Sequence, residues 1–120
     1  MKYLCLVYFE GKIWDIMSQK ESEALTEESF AYDQGLMKSG HFIAAEALDS
    51  VHTATTVRVR NGKVSTTDGP FTETKEVLGG FILVNARDLD EAIQIASKIP
   101  LARWGSIEVR PVLELHPTGG

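Results

Sequence analysis

Asp68-Gly69-Pro70-Phe71-Thr72-Glu73-Thr74-Lys75-Glu76, followed closely by Gly79-Gly80-Phe81-Ile82-Leu83-Val84, divides this chain into two halves. The first four residues make a tight reversal. Asp bonds to the backbone ahead, Gly takes a conformation closed to other residues, and Pro prevents a strand from continuing. Phe71 is expected to anchor the loop in the core. The second run is apolar at consecutive positions, the pattern of a strand whose two faces are both covered. A strand excursion therefore ends at this turn, and a core strand begins after it.

Upstream, Thr, Val and Arg alternate over 53–60 and 63–67 around Asn61-Gly62. That pair favours the positive φ angles of a tight hairpin turn. Residues 41–48 read as a strand, with Glu46 on one face with Phe42 and Leu48. A helix is expected over 22–39, with Leu25, Tyr32 and Leu36 on one stripe, Phe30 and Met37 widening it, and Gly40 as its stop. Residues 10–19 form a connector without period, and 2–9 a strand apolar on both faces. Downstream, Asp88 and Glu91 have the capping-box spacing. The helix they open has a core face of Leu89, Ala92, Ile93, Ala96 and Ile99, and Pro100 ends it. A last strand is expected over 106–115, with Ile107, Val109, Leu113 and Leu115 on one face and an edge or bulge at Pro111. Residues 117–120 read as a tail.

The order is strand, helix, strand, hairpin, strand, helix, strand. This is an α+β, ferredoxin-like βαββαβ sandwich with an inserted β-hairpin. Two helices in such a fold cover one face of the sheet, yet the first and third core strands are apolar on both. A second copy packed sheet against sheet resolves this, so a homodimer is expected.

The chain has 120 residues, enough for one domain over 1–120, with an ordered core expected over about 2–115. Its net charge of −5 argues against direct nucleic-acid binding, which needs clustered cations. No apolar run reaches the roughly 18 residues that span a bilayer, so no membrane role is expected. Cys5 is the only cysteine, which excludes an internal disulfide and makes a cytoplasmic location the default. Within an apolar strand its thiol is expected to be buried and inert.

Several residues are candidates for chemistry. Asp68 is either a turn former or a carboxylate held at a strand end for acid/base work. Glu73 and Lys75 are either solvated or placed to bind a ligand across from Asp68. His41, after Gly40, either caps the preceding helix or serves as a base. Glu46 needs a cationic partner if it is buried, and Arg58 or Arg110 could supply it, as a structural ion pair or as a pocket for a small carboxylate. His41, His52 and His116 match no metal-ligand spacing, so no metal site is expected, and no cofactor motif is present.

The residues 68–76 with Leu78-Gly79-Gly80-Phe81, the Ala47-Leu48 and Thr55-Thr56-Val57-Arg58 segments, Asp88-Leu89-Asp90-Glu91-Ala92, and Gly105-Ser106-Ile107-Glu108-Val109-Arg110-Pro111 together resemble the DGPF branch of the YCII-related (YciI-like) family. The resemblance implies a dimeric α+β barrel. It also implies a bacterial protein of undefined biochemistry, in a family with members encoded near extracytoplasmic-type sigma factors. In the YciI-type branch a His-Asp pair is the proposed acid/base machinery, and one relative is a dehydrochlorinase. The expected first helix here has no histidine, and Asp49 is the nearest match to the aspartate. Two functions follow as expectations. One is a dimeric small-molecule-binding or regulatory protein, linked to sigma-factor signalling. The other is an acid/base enzyme, a lyase or dehydrochlorinase-like protein, using Asp68 or Asp49 in a cleft between sheet and helices with His41 as the proton partner.

Overall fold

Strand β1 (Lys2–Glu10) shows its packing in its burial, which alternates along the whole strand. Tyr3, Cys5, Val7 and Phe9 are buried, whereas Leu4, Leu6 and Tyr8 between them are half-buried. In the computed structural model, which describes residues 1–116, helices cover only one face of this strand. The expected tail at 117–120 lies outside the described residues. A short helix α1 (Ile13–Ile16) follows, then α2 (Gln19–Ser39), β2 (Phe42–Ala47), the hairpin β3 (Thr55–Arg60) and β4 (Lys63–Asp68), β5 (Glu76–Asn85), α3 (Leu89–Ser97) and β6 (Gly105–Pro111). Among the described residues no helix is long and apolar enough to cross a membrane.

The main sheet has the order β2-β5-β1-β6 with every pair antiparallel, the arrangement of a ferredoxin-like α+β fold. Leu25 and Leu36 of α2 and Ala92, Ile95 and Ala96 of α3 pack with the buried residues of β1 and with Ile82 and Val84 of β5. The hairpin forms a separate two-stranded sheet. Its turn is the one expected, with Asn61 at φ 53° and Gly62 at φ 74°.

Several boundaries move. α2 starts at Gln19 because Ser18 is a full capping box: its hydroxyl accepts the Glu21 N–H at 3.1 Å and Glu21 accepts the Ser18 N–H at 3.2 Å. A bulge between Phe42 and Ala44 puts Phe42 against the core and Glu46 on the opposite face, opposite Phe81, so these two residues do not share a face as expected. β6 ends at Pro111 on the sheet edge, and Leu113 and Leu115 lie exposed beyond it. On α2 Phe30 and Met37 are exposed, and on α3 Leu89 and Ile93 are, while Ile95 takes the core position. Phe71 is 76% exposed and does not anchor its loop. Gly69 does take the left-handed region, at φ 96°.

Candidate functional site

A cleft of about 1250 Å³ opens between α2 and the sheet. Val7 and Phe9 of β1, Ala45 of β2 and Ile82 of β5 form its floor. Leu25, Phe30 and Asp33 of α2 line the opposite wall. Trp14 stands at one side, edge-on to Phe9 with ring centroids 5.5 Å apart at 82°. The segment after β2, with Asp49 and His52, and Lys75 before β5 complete the rim. A concave, largely apolar chamber with a few polar groups is the ordinary form of a small-molecule site.

The polar groups differ in how they are held. The Asp49 carboxylate accepts the Ser50 N–H at 2.6 Å. Lys75 Nζ lies 3.3 Å from Glu10 Oε1. Asp33 is half-buried, and among the described residues its carboxylate has no hydrogen-bond or ion-pair partner. Loss of solvent pushes its pKa above 3.8, the ordinary value. Next to it, the Tyr32 hydroxyl donates to the Ile95 carbonyl at 2.6 Å. Burial and the neighbouring Cys5 and Asp33 push the phenol up to about 12. Cys5 itself is fully buried with its thiol pushed up to about 11 by burial. At neutral pH it is a protonated core residue.

The sequence candidates fall in separate places. Glu46, Asp49 and Lys75 line the cleft. Asp68 ends β4, is exposed, and is not a cleft residue; its side chain makes no hydrogen bond among the described residues. Its backbone neighbour holds the turn instead: the Gly69 N–H donates to the Ala54 carbonyl at 2.7 Å, and the Thr56 hydroxyl donates to the Gly69 carbonyl at 2.8 Å. Glu73 is exposed in the following segment. Arg58 lies on the hairpin, and Arg110 of β6 pairs with Glu108. Neither reaches Glu46, which is exposed and without an ion pair among the described residues.

His41 lies at the other end of β2 from Asp49, with the whole six-residue strand, about 20 Å long, between them. Its Nδ1 is 2.7 Å from the Ser39 hydroxyl and its Nε2 is 3.3 Å from Glu91 Oε1. Its backbone N–H, not its ring, caps α2 by donating to the Leu36 carbonyl at 3.0 Å. Glu91 also meets Arg87 Nη1 at 2.9 Å, and the Arg87 backbone N–H, then Arg87 and His41, hold its carboxyl below the usual range.

Asp33 was absent from the sequence candidates, though a signal for it exists. Leu25, Ser29, Tyr32, Asp33 and Leu36 fall on one helical stripe, so a carboxylate occupies a core-facing position. Across residues 1–116 the chain matches the family described as the YCII-related domain. It is also 33% identical over 119 residues to an uncharacterised protein of Rhizobium meliloti (strain 1021), a match covering 98% of this chain and 96% of that relative.

Proposed function

The chain belongs to the YCII-related family, and from that premise we propose that it is a homodimeric small-molecule-binding protein whose site is the cleft between α2 and the sheet. The observation that carries the reading is the cleft itself, about 1250 Å³ lined by Phe9, Leu25, Phe30 and Trp14, with the carboxyl of Asp33, unpartnered among the described residues, in its wall. An apolar body would fill the chamber, and Asp33 would fix orientation through one polar contact.

The dimer is supported by the sheet face that carries no helix. Leu4, Leu6 and Tyr8 of β1 and Phe81 and Leu83 of β5 are half-buried there, with Leu78 more exposed. A second sheet laid on this face, in a dimeric α+β barrel, would remove that surface from water at about 25 cal/mol per Å².

An acid/base enzyme is the second reading, favoured by the raised pKa of Asp33 in the same cleft as Asp49. A carboxyl kept protonated above its ordinary range can donate a proton to a bound substrate.

Saturable binding of the aromatic probe 8-anilinonaphthalene-1-sulfonate tests the site, followed through its own emission and energy transfer from Trp14 in a Trp104→Phe background. Wild-type protein is expected to bind one probe per chain. Ala45→Phe, which fills the cleft floor, is expected to weaken binding at least tenfold while keeping the native circular dichroism. Equal binding by the filled variant, or no saturable binding by the wild type, sinks the reading.

A further inference from the structure

The charges around the cleft are unequal. Glu10, Asp15, Asp33 and Asp49 line it as carboxylates, against the lysines Lys12 and Lys75. Glu46 is a lining residue too, but its strand position turns it toward the helix-free face. Lys75 is already engaged by Glu10 at 3.3 Å. That leaves Asp15, Asp33 and Asp49 against Lys12, and none of these four makes an ion pair among the described residues. Charges of one sign along a cleft with low-dielectric walls reinforce one another and concentrate ions of the opposite sign there.

Asp33 is the most enclosed of the three, half-buried where Asp15 and Asp49 are exposed. A partly desolvated carboxylate gains more than an exposed one from a counter-charge brought to it, because less water competes. Loss of solvent raises its pKa, and a cation beside it would favour the ionised form and pull the value back down. The surrounding wall suits the same charge. Phe9, Trp14 and Phe30 line the cleft, and Trp14 and Phe30 are exposed. The face of an aromatic ring attracts a cation within about 6 Å, through the negative side of its quadrupole. A chamber of about 1250 Å³ also has room for far more than a bare ion, so an apolar body accompanies the charge.

We propose that the ligand of the cleft is an apolar amine bound as its ammonium, with the nitrogen paired to Asp33 and the apolar body among Phe9, Trp14 and Phe30. This rests on the small-molecule cleft proposed above and names the chemical class that fills it.

Isothermal titration calorimetry of the full chain at pH 7 tests the charge with naphthalenes of similar shape: 1-naphthylmethylamine, the neutral 1-naphthalenemethanol and the anionic 1-naphthoate. The amine is expected to bind at least tenfold more tightly than the alcohol, with naphthoate weakest, and added salt is expected to narrow the gap. Asp33→Asn is expected to reduce the amine-to-alcohol ratio to about twofold or less. Asp68→Asn removes a carboxylate that is not a cleft residue, and the ratio is expected to stay at its wild-type value. Alcohol binding that Ala45→Phe abolishes upholds the cleft by itself. Equal affinity of amine and alcohol, or tighter binding of naphthoate, then overturns the ammonium alone. A ratio that Asp33→Asn leaves unchanged, or that Asp68→Asn lowers equally, overturns the pairing with Asp33. If no member of the series binds the wild type, the cleft and its ligand class fall together.

Discussion

Asp33 occupies a helix position that its neighbours Leu25 and Leu36 mark as core-facing, and the cleft is what admits a carboxylate there. Its raised pKa has a consequence for stability. An acid whose folded pKa lies above its unfolded value binds protons more readily in the folded state, so stability falls as pH rises from 3.8 through the raised value. Asp33→Asn removes that penalty with an amide of similar size. The variant is expected to melt about 1–3 °C above wild type at pH 7, with the difference vanishing below pH 3.8; thermal melts at the two pH values check this. Glu91 has the opposite sign. Its lowered pKa gives stability that is present above 4.5 and lost as pH falls through the depressed value. At Gly105 the constraint is steric: a Cβ there would lie 1.9 Å from the Tyr8 carbonyl oxygen, across the β1–β6 pair. The sequence pattern identified Cys5 as buried and Gly69 as left-handed, because both follow from local chemistry. It could not place Phe71, whose burial depended on where a loop lies in space.

Helix α2 shows how an element can be legible and still be misbounded. Its apolar stripe was visible, but its true start lies in Ser18-Gln19-Lys20-Glu21, a capping-box spacing hidden within an aperiodic connector. Ser18→Ala removes the hydroxyl that accepts the Glu21 N–H and is expected to cost about 1 kcal/mol, measured as a lower urea midpoint with an unchanged m-value. Strand β2 was found by composition, but the bulge after Phe42 reverses the side of Glu46. A one-residue register change moves every later side chain to the other face, and nothing in a strand of Ala and Ile announces it. The hairpin was the clearest element in the sequence, since Asn61-Gly62 has few alternatives to a tight turn. Which of its faces would be exposed was not legible.

At the scale of the whole molecule, the alternating burial of β1 leaves one of its faces half-buried. Leu6 lies at the centre of the helix-free face, opposite Phe81 and Glu108. Leu6→Lys puts a charge into the proposed sheet-to-sheet contact while leaving the helix side untouched. It is expected to weaken dimerisation at least tenfold, ~1.4 kcal/mol or more, by light scattering at several concentrations, with native circular dichroism retained. A dimer of unchanged Kd would place the contact elsewhere. The sequence by itself determined the element types and their order, because periodicity, caps and turns act over a few residues. It determined the family for the same reason, since a long run of matching local segments is specific. Only the tertiary structure decided which residues line the cleft. The Asp68-Gly69-Pro70-Phe71 turn lies outside the cleft, and Asp33 and Asp49, sixteen positions apart, line it together. Side chains distant in sequence meet only when helix and sheet pack, and that packing is set by the sum of many weak contacts with no local signature.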